Sequence, residues 1–268
     1  MSQINVPKDV KERIKSSYDA IAQKYNEWTR QHTPLRLEFV TKVFELLSSS
    51  PPSQQPHFLE LGCGAGPPIT QKLLSYPEAR VTANDISTTQ VKLARSNLLG
   101  YGEENAGNEE RLTLLEGDMT KLSFPDQSFD AVFAFYSLIH LPREEQTEMI
   151  GKISRWLKPG GYLVANFAEH DSEAIVMDKW LDKDDWMFWS GWGKEKTLSI
   201  IEEAGLEVVE SDIRMDVVDV SFLWVIARGR CGMFGCMIVP NYSYVRRPRL
   251  HANLSVGRYL LMLWTRQQ

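Results

Sequence analysis

An α/β fold with a mainly parallel sheet and helices on both faces is predicted by three features of the 268-residue chain. Short apolar strands alternate with helical stretches from His57 onward. One strand runs into a glycine-rich turn and then a helix, at His57 to Pro68. The last two strands are joined too tightly for a parallel crossover, so they form an antiparallel hairpin at one sheet edge.

Taken in order, residues 8–30 read as a helix, with Tyr18, Ile21, Ala22 and Tyr25 at helical spacing. A second helical pattern covers Leu35 to Leu47 and ends in the loop residues SSSPPSQQP. The strand at His57–Leu61 leads through the glycine turn to a helix ending near Leu74. Strand Arg80–Asn84 is followed by a helix from Ser87 to Leu99, and the polar GYGEENAGNEE reads as a loop. Strands follow at Arg111–Leu115 and Asp130–Phe135, then a helix from Pro142 to Leu157 that KPGG breaks. Tyr162–Phe167 is the fifth strand, and residues 170–193 read as irregular and tryptophan-rich. A helix at Lys196–Ala204 stops at Gly205, and strands near Leu206–Arg214 and Val217–Ala227 close the pattern.

Composition narrows the function. At 43% hydrophobic residues the chain is too apolar to be mainly disordered. Its longest apolar runs, such as Phe222–Ala227, fall far short of the ~20 residues of a spanning helix. The start MSQINVPKDVKERIK lacks the apolar segment of a secretory signal. Three cysteines without a Cys-x-x-Cys pair give neither a disulfide framework nor a metal site, which points to a cytoplasmic setting. The last 40 residues hold six arginines and no acid; the other 228 hold 24 basic and 35 acidic side chains, a net of −11. Such an acidic body argues against nucleic acid as a partner.

The chemistry concentrates at strand ends. In HFLELGCGAGPP the spacing is Gly62-x-Gly64-x-Gly66, not the G-x-G-x-x-G of dinucleotide sites. Glu60, two residues before the first glycine, suits a cationic ammonium or sulfonium rather than a pyrophosphate. Asp85 ends the second strand, where a carboxylate can accept two ribose hydroxyls. Asp118 follows the third strand, placed for an exocyclic adenine amine, with Met119 against the ring. The fourth strand ends in Phe135-Tyr136-Ser137, and His140 lies just beyond.

These segments resemble the class I S-adenosylmethionine-dependent methyltransferases. FLELGCGAGPP, TANDIS, EGDMTKLSFPDQSFDAVFAFYSLIHLP and RWLKPGGYLVANF occur in the family's order. The SFD, HLP and LKPGG segments are similar to a type 11-like branch of bacterial and fungal small-molecule enzymes. The resemblance covers about residues 15–228. It implies a Rossmann-like, seven-stranded sheet, a cofactor S-adenosyl-L-methionine, and Glu60, Gly62, Gly64, Asp85 and Asp118 as its contacts. Cys63, Gly66, Ile86, Met119 and Phe135 are grouped with them, as are the N-terminal Tyr18 and Tyr25, which cover the cofactor in similar proteins. The Pro67-Pro68 pair departs from the family, whose helix start is usually less rigid.

The expected function is methyl transfer to a small-molecule acceptor, in specialised metabolism. His140 is the candidate base, and no metal is required. Tyr136, His140 and the aromatic lid residues Trp186, Phe188 and Trp189 are the candidate acceptor contacts. Two other classes stand beside it: a catalytically silent methyltransferase-like regulator and a dinucleotide-dependent oxidoreductase. Residues 1–228 are expected to form the domain, with a helical cap over about 8–47 and the core over about 56–228. The basic extension 229–268 is either a membrane-surface or partner segment, or a non-native addition from a misplaced gene boundary.

Overall fold

The computed structural model describes residues 6–49, 55–100, 102, 105–182, 185–216 and 220–230. The chain divides at residue 234, and everything described belongs to the first unit. Apart from Gly229 and Arg230, the basic extension lies outside the described residues.

Two helices come first, α1 (Val10–Trp28) and α2 (Thr33–Ser48). The alternating part then runs β1 (His57–Leu61), α3 (Ile69–Leu74), β2 (Arg80–Asp85), α4 (Thr88–Leu99), α5 (Asn108–Arg111), β3 (Leu112–Glu116), β4 (Phe129–Ala134), α6 (Arg143–Trp156) and β5 (Leu157–Ala168). It ends with β6 (Asp171–Asp178), β7 (Trp186–Trp192), α7 (Gly193–Glu203), β8 (Leu206–Met215) and β9 (Ser221–Gly229).

The seven-stranded sheet has the order β3-β2-β1-β4-β5-β9-β8. Strands β1 to β5 pair in parallel, and β9 runs antiparallel to both β5 and β8. The mainly parallel sheet with one antiparallel edge hairpin is therefore present.

Period-two alternation sends successive side chains to opposite faces. On one face Leu59, Leu61, Val132 and Leu163 pack against Met149 and Ile153 of α6 and Ile201 of α7. On the other, Phe58, Val81, Ala83 and Phe133 pack against Phe39 and Val43 of α2, Leu73 of α3 and Leu98 of α4. Phe39, Phe58, Phe129 and Phe133 are fully buried, each contributing ~1.5–3 kcal/mol of hydrophobic stabilisation. The order reverses between β1 and β4, and the crevice at their carboxyl ends is where open α/β sheets take ligands.

A third cluster joins α1 to a two-stranded sheet, β6–β7: Val10, Ile14 and Ile21 pack on Ala174, Trp186, Met187 and Phe188. This corrects the expectation of an irregular segment at 170–193. Strand β7 is buried on both faces, so its sequence opens with the apolar run Trp186–Trp189 instead of alternating. KPGG ends α6 as expected, the helix stopping at Trp156, and it also lies in the start of β5: Leu157 pairs with Phe129, and regular pairing resumes at Tyr162 opposite Ala131. Strand β9 covers Ser221–Gly229; residues 217–219, where the expected strand began, lie outside the described residues, and Asp216 N–H donates to the Val220 carbonyl at 2.8 Å.

Candidate active site

The turn after β1 is held by its neighbours' backbone. Gly62 and Cys63 N–H donate to the Asn84 carbonyl at 2.8 and 2.9 Å, and Gly66 N–H donates to Cys63 at 3.0 Å. Gly62 has φ +79°, and a Cβ there would lie 2.5 Å from the Ser137 Cβ, so only glycine fits. Gly64 N–H donates to Asp85 Oδ2 and Ser87 N–H to Asp85 Oδ1, both at 2.8 Å. Burial raises the Asp85 carboxyl to about 6 against these bonds. The neighbouring Asn84 amide donates to the Leu115 and Gly117 carbonyls, fixing the β3 end beside the β2 end.

Asp118 caps a short 3₁₀ turn through Thr120 N–H at 2.9 Å and pairs with Lys11 of α1 at 2.9 Å. Burial raises its carboxyl, but the bonds from Lys11 and Thr120 win and hold it below the usual range. Asp19 of α1 accepts from Ser87 Oγ and Thr89 N–H at the start of α4, so α1 is tied across the carboxyl ends of β2 and β3.

Between α1 and the strand ends lies a cleft of about 690 Å³ counted out to its mouth. Its walls include Gly62, Gly64, Asp85, Ile86, Asp118, Met119, Phe135, Tyr18 and Tyr25. Tyr136 and His140 line it too.

Three residues grouped with these stand elsewhere. Glu60 is 4% exposed; its Oε2 accepts from Thr70 Oγ1 at 2.6 Å, and burial pushes its carboxyl up to about 8. It points to the α2–α3 face of the sheet with Phe58, not into the cleft. Cys63 is buried, and desolvation raises its thiol. A Cβ on Gly66 would strike Leu98 Cδ1 at 2.5 Å, so this glycine serves the packing of the turn on α4.

Trp186 and Phe188 also miss the cleft: they sit in the α1–β7 cluster, Trp186 beneath the Arg13 guanidinium at 3.9 Å. Trp189 touches the site at second hand, 6.0 Å from the His140 ring. The Phe188 backbone does reach the site, for its carbonyl lies 2.8 Å from His140 Nδ1. The other nitrogen, Nε2, lies 2.8 Å from the Tyr18 hydroxyl. Nδ1–H donates to the carbonyl, so Nε2 accepts from Tyr18 and the ring is neutral. Burial holds its pKa at about 4.

Lys11, Ile14, Asn84, Gln90, Gly117, Ser137 and Leu141 also line the cleft, and sequence reasoning missed them. Lys11 and Ile14 precede Tyr18 by seven and four residues, one helical face that the tyrosine pair already marked. Asn84 and Gly117 abut Asp85 and Asp118. Among the described residues no group of three or more His, Cys, Asp or Glu is arranged for a metal. No helix among them is long and apolar enough to cross a membrane.

A methyltransferase domain model matches residues 58–161. The chain is 38% identical over 103 residues to the sterol 24-C-methyltransferase ERG6B of Gibberella zeae, covering 38% of this chain and 25% of that protein. It is 34% identical over 113 residues to the O-methyltransferase cnsE of Penicillium expansum, covering 42% and 38%. The matched stretches thus span well under half the length of these curated relatives. The fold is similar to that of the 1,6-didemethyltoxoflavin-N1-methyltransferase of Burkholderia thailandensis, with TM-score 0.63 and 16% identity over 86% of this chain and 93% of that one. The glycine turn, the acid at the end of β2 and the first five strands of the sheet thus lie in or beside the segment, residues 58–161, that is similar to a methyltransferase domain.

Proposed function

We propose that this protein transfers a methyl group from S-adenosylmethionine to a small-molecule acceptor. The observation that carries the reading is one cleft that joins the glycine turn, Asp85 and Asp118 to a wall of Tyr18, Tyr25, Tyr136 and His140. The cofactor half fits an adenosyl group. A Cβ built on Gly64 or Gly117 would meet no protein atom within 4 Å, so the backbone there leaves room for a ligand to lie against it. Each Asp85 oxygen accepts one backbone bond and keeps a lone pair for a ribose hydroxyl. Two carboxylates and one already paired lysine suit a pyrophosphate poorly, which weighs against a dinucleotide.

When bound, S-adenosylmethionine supplies an electrophilic methyl on a charged sulfur. The chain's part is positioning and proton handling. Orientation alone can contribute up to ~7–11 kcal/mol to such a step. Neutral His140, aligned by the Phe188 carbonyl, holds its Nε2 lone pair toward Tyr18. A proton leaving the acceptor is received at Nε2 through the Tyr18 hydroxyl, which accepts on one side as it donates on the other. A cytoplasmic setting and a place in specialised metabolism belong to the same proposal. A deletion strain should lack metabolites one methyl group heavier than those it accumulates.

The direct test is calorimetric titration of S-adenosylhomocysteine. Asp85→Ala should weaken binding by about 100-fold, from two hydrogen bonds to a charged group at ~1.5 kcal/mol each. Unchanged affinity in a folded variant removes Asp85 from the cofactor site. Binding of NADH in preference to S-adenosylhomocysteine favours the oxidoreductase instead.

A further inference from the structure

A second polar cluster stands behind the acceptor wall and is used neither by the cofactor half nor by the Tyr18–His140 pair. Asp216, just after β8, accepts from His32 Nδ1–H at 2.6 Å and from the Tyr136 hydroxyl at 2.8 Å. The side chains of both His32 and Asp216 are 3% exposed. The His32 ring lies 4.6 Å from Trp28 and 5.4 Å from Tyr136. With Nδ1 committed to Asp216, Nε2 is the open nitrogen; it is buried and has no hydrogen-bond partner among the described residues. Arg36 Nε, Asn166 Nδ2 and Trp224 Nε1 are buried without partners as well.

Three of these residues, His32, Asn166 and Trp224, border Tyr136. Asn166 Oδ1 accepts the Tyr136 N–H at 2.7 Å, and the Trp224 ring is 5.8 Å from the Tyr136 ring. Tyr136 itself is held at φ +54°, a left-handed conformation that costs a tyrosine ~1–3 kcal/mol. Unpaired buried polar groups cost ~1–3 kcal/mol each. Strain and unpaired groups gathered at one cavity-lining residue mark a binding position.

We propose that Tyr136, oriented by Asp216 and His32, receives the acceptor's hydroxyl, and that the acceptor is an aromatic hydroxy compound, a phenol. The proposal rests on the methyl-transfer reading. Hydrogen-bond direction carries it. Tyr136 gives its only proton to Asp216, so toward the cleft its oxygen presents lone pairs and takes an O–H, not a carbonyl. Tyr18, Tyr25, Tyr136 and His140 supply ring faces for a flat ligand. His32 and Asp216 reach the acceptor only through Tyr136 and are positioning residues.

The test compares para-nitrophenol with para-nitroanisole in mildly acidic buffer, where the phenol keeps its proton; the two share a ring and differ in the hydroxyl proton. Their affinities for the full chain, with and without saturating S-adenosylhomocysteine, are read by quenching of tryptophan fluorescence. The phenol should bind at least about tenfold tighter, and Asp216→Asn and Tyr136→Phe should each bring the ratio to about one. Equal affinities in the unaltered protein, a ratio preserved in the variants, or no binding of either probe overturns the proposal. If Asp216→Asn does not fold, Tyr136→Phe decides. Failure of the unaltered protein to bind S-adenosylhomocysteine overturns the methyl-transfer reading instead, and the ratio measured without it tells the two failures apart.

Discussion

The two walls of the cleft are built by different means. The proposed cofactor wall comes from short contiguous segments, Gly62–Gly66, Asn84–Ser87 and Gly117–Thr120, whose backbone groups bond to the adjoining strand end. The proposed acceptor wall is assembled by side chains from distant parts of the chain: Tyr18 with His140, backed by His32 with Asp216. One wall is a property of local sequence; the other exists only after α1, α2 and the end of β8 have docked. Damage to the first should be severe and local, whereas changes in the second should alter rate and preference.

The largest effect is expected from Gly62→Ala. A left-handed φ costs a non-glycine residue ~1–2 kcal/mol, and the added Cβ meets a backbone-anchored Ser137 Cβ at 2.5 Å. Together these should remove about 3 kcal/mol of stability, roughly a 6–12 °C fall in melting temperature for a domain this size. A melting temperature within about 2 °C of the unaltered protein would show the turn to be looser than described.

His140→Ala tests the other wall and comes next. Loss of a general base slows the transfer by about 100-fold or more at saturating cofactor, with S-adenosylhomocysteine affinity nearly unchanged. The pH dependence follows from burial, which lowers the imidazole from its ordinary 6.5 to about 4. Nε2 therefore stays unprotonated at neutral pH, and at saturating cofactor the loss of rate due to His140 should come as pH drops toward about 4. The same depression makes His140 a source of stability above its unfolded pKa, lost as pH falls through the folded value. A wild-type rate in His140→Ala would remove the base and leave positioning as the whole of catalysis.

This difference between the walls also explains what was legible in the sequence. The strand order of events, the glycine turn and the acids at the ends of β2 and β3 could be read because each depends on neighbours within a few residues. Residues 170–193 could not be read, because β7 is buried on both faces and its sequence shows no period. Trp186 and Phe188 were marked for their aromatic area, but that area is used in packing on α1. His32, Arg36 and Asp216 gave no signal: each is a common residue in an ordinary helix or turn, and what sets them apart is where long-range packing places them. Glu60 was legible as an unusual acid, yet strand alternation turns it toward Thr70 instead of the cleft.

Glu60 sits under the cofactor wall and sharpens the contrast with a smaller effect. Burial raises its folded pKa from 4.5 to about 8. A carboxyl raised on folding adds stability below its unfolded pKa of ~4.3, and that stability is lost as pH climbs through the folded value. The ligand-free protein should thus weaken between about pH 5 and pH 8, and Glu60→Gln should flatten this slope. The variant is expected to be more stable by about 1–3 kcal/mol near pH 8 and close to neutral near pH 5. Parallel melting curves for both proteins across that range would mean that Glu60 is already ionised in the fold.

The smallest effect belongs to Lys11, where the two walls meet. Its ammonium bridges Asp118 at 2.9 Å and Glu145 at 2.7 Å, tying α1 to the end of β3 and to α6. The lysine and both acids are partly exposed, so solvent screening leaves the bridge worth less than ~1 kcal/mol. Lys11→Met keeps the apolar stem against the cleft and deletes only the charge. Stability should fall by a few tenths of a kcal/mol, roughly, and the deficit should shrink in high salt. Cofactor affinity should change by less than about tenfold, since Asp118 still holds its Thr120 bonds. A large, salt-sensitive loss of affinity from this one charge would mean that the docking of α1, and with it the acceptor wall, controls the cofactor wall as well.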